Sequence, residues 1–99
     1  MMQVRIYGRF RSLFKNPNLE LPNDENIKSL KDLLLIVKEN YSEGFYKEIV
    51  DERSNSLNVG VILTVNGKSI STEEGLETKL RDGDEDFIDK IGFIPLEGG

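Results

Sequence analysis

Val61-Ile62-Leu63-Thr64-Val65-Asn66-Gly67-Lys68-Ser69-Ile70 decides the fold class. Its first five residues are rich in β-branched side chains, which suit a strand. Asn66-Gly67 follows at once and supplies the positive φ angles of a tight hairpin turn. Lys68-Ser69-Ile70 then returns as a short edge strand. Upstream lies a helix. Ser29 caps it, and Asp32 completes a capping box and favours the positive end of the helix dipole. Leu30, Leu33, Leu34, Val37 and Tyr41 form an apolar stripe along one side, widened by Leu35 and Ile36. Gly44 is a natural stop. Phe45 to Val50 adds a second short helical stretch, and Asp51 to Asn58 reads as a polar loop.

Toward the N-terminus, Val4 and Ile6 alternate with Gln3, Arg5 and Tyr7, the two-residue period of a half-buried strand. Gly8 to Asn18 is a connector in which Phe10, Leu13 and Phe14 are spaced like one or two helical turns. Leu19-Glu20-Leu21 alternates again and ends at Pro22, so the two strands suggest an open antiparallel hairpin. On the other side, Leu76 and Leu80 are placed to plug the core from a short turn. Asp82-Gly83-Asp84 is a surface turn, and Phe87 to Leu96 is the last apolar segment. Strands around one principal amphipathic helix make an α+β sheet packed on that helix. At 99 residues this is one domain spanning 1–99.

Composition narrows the function. A net charge of −5 argues against nucleic acid as the main partner. Arg5, Arg9, Arg11 and Lys15 form a local basic exception, either a solvated face or a surface for an acidic partner. Neither Cys nor His occurs, which excludes disulfides, thiolate chemistry, Fe–S clusters, most zinc sites and His-based acid–base catalysis. No apolar run approaches the ~18 residues of a membrane span, and Met1-Met2-Gln3-Val4-Arg5 does not read as a signal peptide. These features fit a cytoplasmic protein without a membrane partner. Glu73, Glu74, Glu77, Asp82, Asp84, Glu85 and Asp86 lack the ligand order of a calcium loop and read as a solvated acidic surface. No Gly-x-Gly-x-x-Gly occurs.

Several stretches together resemble the MoaD/ThiS ubiquitin-like sulfur carriers. Val4-Arg5-Ile6-Tyr7-Gly8-Arg9-Phe10-Arg11-Ser12-Leu13 is similar to the family's opening. Val65-Asn66-Gly67, Gly75-Leu76-Glu77-Thr78-Lys79-Leu80, Asp82-Gly83-Asp84-Glu85 and the final Gly98-Gly99 resemble its second half. The resemblance implies a β-grasp fold with a mixed sheet, its first and last strands side by side and parallel. The stretch from Asp86 to Glu97 is longer than the family's, with Gly92 a candidate bulge to absorb the excess. Pro95-Leu96 stands where the family has Pro-Pro.

The resemblance also implies a chemistry. A C-terminal carboxylate is an anion at pH 7, and a partner holding ATP and Mg²⁺ can adenylate it. A sulfur donor then converts the adenylate to a thiocarboxylate on Gly99, with Gly98 giving a slim approach. No cofactor is held permanently, and the chain is not a stand-alone catalyst. The implied partners are an adenylating enzyme of the ubiquitin-activating type and the large subunit of molybdopterin synthase, with a pterin precursor as sulfur acceptor. Fully extended, Leu96 to Gly99 would reach on the order of 13 Å, and Pro95 stiffens the exit. Phe10, Leu13, Phe93 and Leu96 are candidates for an apolar docking patch, though core packing is the commoner role for any one of them. Arg11 matches an arginine of the family and also suits a surface ion pair. Two other readings stand beside this one: a ubiquitin-like protein modifier or tRNA-thiolation sulfur carrier acting through Gly99, and a non-covalent β-grasp interaction module with an inert tail.

Overall fold

In the computed structural model, residues 1–22, 26–58, 60–81 and 88–96 are described. The elements run β1 (Met2–Ile6), a 3₁₀ turn (Gly8–Leu13), β2 (Asn18–Leu21), α1 (Leu30–Asn40), α2 (Glu43–Ile49), β3 (Val50–Asp51), β4 (Ser56–Leu57), β5 (Val61–Val65), β6 (Lys68–Ile70), a second 3₁₀ turn (Gly75–Glu77) and β7 (Lys90–Pro95). Five strands form one mixed sheet in the order β2-β1-β7-β5-β6. β1 is antiparallel to β2 and parallel to β7, with Val4 opposite Ile91 and Ile6 opposite Phe93. β5 is antiparallel to both β7 and β6. This is the β-grasp arrangement, an α+β fold with the helix against one sheet face.

Alternation along β1 sends Met2, Val4 and Ile6 inward. They meet Leu30, Leu33, Leu34 and Val37 of α1, all buried. At ~1.5–3 kcal/mol per fully buried aliphatic side chain, those four contribute several kcal/mol. The start of α1 is a full capping box. The Asp32 backbone N–H donates to Ser29 Oγ (3.2 Å), and the Ser29 N–H donates to Asp32 Oδ2 (3.0 Å). Burial opposes ionisation of Asp32, but backbone N–H donation from Lys28 and Ser29, the Ser29 hydroxyl and the Lys28 charge together hold its carboxyl below the usual range. Tyr41 closes the helix and leaves the stripe: it is exposed, and its hydroxyl donates to the Glu20 carbonyl at 2.6 Å.

Phe45 of α2 is the centre of an aromatic cluster, edge-on to Phe10 (5.5 Å) and Phe93 (5.4 Å) and tilted against Phe14 (4.9 Å). Leu76 and Leu80 close the core as the spacing suggested. The Asn66-Gly67 turn has φ of 51° and 84°, the positive pair a type I′ hairpin needs.

Three expectations need correction. Gly44 is not a stop, since α1 ends at Asn40 and Gly44 lies inside α2. The segment Asp51–Asn58 is not simply loop: Val50 and Asp51 pair antiparallel with Leu57 and Ser56, and Asn55 at φ 56° makes the turn possible. Gly92 is not a bulge. Its strand pairs without a break from Lys90 to Phe93 against β1 and from Ile91 to Pro95 against β5. The glycine is there because a Cβ would lie 2.6 Å from Thr64 Oγ1. The Asp82-Gly83-Asp84 turn and most of the longer segment before β7 lie outside the described residues.

Candidate functional site

The site follows from the position of β7 in the middle of the sheet. Ile91 and Phe93 are locked into the core, both 1% exposed. Pro95 takes the last ladder position, opposite Val61, where a residue without an N–H donor costs least. It is buried, and Leu96 emerges at 60% exposure.

Two glycines hold this exit from either side. Gly8, at φ +61°, lies so close to the Pro95 ring that a Cβ would sit 2.6 Å from Pro95 Cγ. Gly60 lies under Leu96: its carbonyl accepts the Leu96 N–H at 3.1 Å, and a Cβ there would meet Leu96 Cδ1 at 2.7 Å. Tyr7 N–H donates to the Phe93 carbonyl at 3.0 Å, tying the start of the Gly8 turn to the same strand. The backbone is therefore held at a fixed point up to Leu96. Neither glycine is picked out as part of the exit by sequence; Gly60 reads only as a strand-edge glycine, and the contacts join segments far apart in the chain.

The residues expected to dock a partner are not brought together. Phe10 is fully buried and Phe93 is 1% exposed, so both belong to the aromatic core and neither presents a surface. This corrects the apolar docking patch. Leu13 is half-buried, and Leu96 alone of the group is open. Arg11 is exposed on the 3₁₀ turn, beside a wide depression of about 520 Å³ that also involves Gly8, Arg9, Phe14, Lys15 and Pro17. Arg9 pairs with Glu48 at 3.0 Å and lies over the Phe10 ring. Gly98 and Gly99 lie outside the described residues. Among the described residues, no cluster of three or more acidic side chains is placed to hold a metal ion, and no helix is long and apolar enough to cross a membrane.

No protein-family model and no curated protein matches the chain. Solved structures do. Urm1 from Trypanosoma brucei is 27% identical with a TM-score of 0.65, covering 99% of this chain and 94% of that one. Small archaeal modifier protein 1 from Methanosarcina acetivorans is 27% identical with a TM-score of 0.61, covering 99% and 95%. These structural neighbours are ubiquitin-like sulfur carriers of the MoaD/ThiS type, and the chain is similar to them over nearly its whole length. A chain of the BexX/CysO complex from Amycolatopsis orientalis, 19% identical with a TM-score of 0.68 over 100% of this chain and 99% of its own, shares the fold. In the sequence, Gly98-Gly99 follows Leu96 within three residues.

Proposed function

We propose that this protein carries sulfur on the carboxyl group of Gly99 and delivers it to a pterin precursor, as the small subunit of a molybdopterin synthase. The observation that carries the reading is the course of β7. A strand anchored between β1 and β5 ends at Pro95, and the sequence reaches a Gly98-Gly99 pair two residues after exposed Leu96. The rigid body can bind one enzyme after another while the glycines, without side chains, enter a narrow channel.

The chemistry is supplied by partners. A carboxylate oxygen of Gly99 attacks the α-phosphorus of ATP, pyrophosphate leaves with Mg²⁺, and an acyl-adenylate forms. A sulfur nucleophile then attacks the carbonyl carbon, AMP departs, and a thiocarboxylate remains. The chain's own contribution is to hold Pro95 and Leu96 so that a docked partner meets the tail in one orientation.

Intact-mass measurement tests the first half. Incubation with an adenylating enzyme of the ubiquitin-activating type, ATP, Mg²⁺ and a sulfur source should replace one oxygen by sulfur on Gly99. Persistent absence of that product refutes the carrier reading. For the acceptor, the thiocarboxylate form with a molybdopterin synthase large subunit should convert pterin precursor to the dithiolene product. A second reading is favoured by the likeness to a protein named a modifier: attachment of Gly99 to lysines. Gly-Gly remnants on lysines of digested cell protein would support it.

A further inference from the structure

Charge in this chain is divided by position. Residues 1–19 hold Arg5, Arg9, Arg11 and Lys15 and no acid, so residues 20–99 hold nine cations against eighteen acids. The fold gathers the four cations on one pole. Arg11 lies between two adjoining depressions; Arg5 lines one of them, and Arg9 and Lys15 the other. Arg5, Arg11 and Lys15 are exposed and make no ion pair among the described residues. Phe14 and Pro17, both half-buried, give the larger depression an apolar floor. Gly8 lines both depressions and packs on Pro95, so the basic pole adjoins the chain exit.

We infer that this pole is a docking surface for an acidic segment of the enzyme that receives the tail; the inference rests on the carrier reading. An acidic surface is repelled by the net charge of the rest of this body and attracted most where Arg5, Arg11 and Lys15 are gathered without acids. Such a field selects one approach, the one that brings the exit at Pro95 and Leu96 to the partner. The apolar floor beside the cations suits a protein segment better than a nucleic-acid backbone, which needs cations in a line.

The experiment uses the full chain and the adenylating enzyme, with association rates followed at low and high salt. The double variant Arg11→Glu, Lys15→Glu should associate about tenfold more slowly at low salt, the difference fading at high salt, as steering by exposed charge requires. The same charge change at exposed Lys31 and Lys68 should leave the rate within about twofold. Circular dichroism confirms that both variants fold. Equal rates for the two variants overturn the inference, as does tighter binding of a single-stranded RNA than of the enzyme at this pole. The two readings fail separately. Loss of the carrier reading shows as no oxygen-to-sulfur exchange in the native chain. Loss of this one shows as that exchange proceeding with the double variant associating at the native rate.

Discussion

Gly8 and Pro95 are separated by most of the chain, yet the Gly8 Cα faces the Pro95 ring so closely that a Cβ would sit 2.6 Å from Cγ. This contact locks the first turn of the molecule to its last proline. Gly8 also has φ +61°, so alanine there meets both backbone strain and a rigid, buried ring. Gly8→Ala should cost about 1–3 kcal/mol in urea unfolding. It should also slow formation of the acyl-adenylate, because Pro95 must shift.

Gly60 presents the same kind of close approach with the opposite outcome. The nearest atom, Leu96 Cδ1, belongs to an exposed side chain that can swing aside, and Leu96 Cβ at 3.1 Å needs only a shift of a few tenths of an ångström at an exposed residue. Gly60→Ala should leave stability within about 0.5 kcal/mol but weaken the Leu96 N–H bond to the Gly60 carbonyl. Faster hydrogen exchange at the Leu96 amide, without change at Phe93, checks this.

Gly92 faces Thr64 across the sheet, and the ring of Tyr7 would lie 3.3 Å from a Cβ at this position. Thr64 is stiff at χ1, so Gly92→Ala forces the strands apart and should cost about 1–3 kcal/mol. Adding Thr64→Ala should recover a large part of that loss. A double-mutant cycle by thermal unfolding measures the coupling.

Ser29→Ala removes one half of the capping box and should destabilise by about 1 kcal/mol. Asp32 titrates lower in the folded chain than its ordinary value of 3.8. Its contribution is therefore fully present above that value and is lost as pH falls through the folded value. Asp32→Asn should flatten the acid limb of the stability curve, with little change in its slope near neutrality.

Local signals made much of this fold legible. The alternation of Val4 and Ile6, the Asn66-Gly67 turn and the Ser29–Asp32 cap each act within a few residues, and each appears in place. The parallel pairing of β1 with β7 has no local signature; it entered through a family resemblance. The Val50–Leu57 hairpin was hidden because its turn residues are polar and its strands are two residues long. Gly92 was misread because a strand glycine marks either a bulge or a close neighbour, and only the position of Thr64 decides. Phe10 and Phe93 show the same limit. An apolar residue fits a core or a docking face, and only the tertiary partner Phe45 tells which. At the site, Pro95 and Leu96 were legible as an exit, whereas the glycines flanking them were not.

The middle strand of the sheet is also the last of the described strands to be synthesised. Until the ribosome has released residues 90–95, β1 and β5 face an empty slot, and neither can close the sheet with the other. Nascent chains that stall early therefore expose two sticky backbone margins and attract proteolysis. A molecule that has passed this check has already made the strand that leads to Leu96.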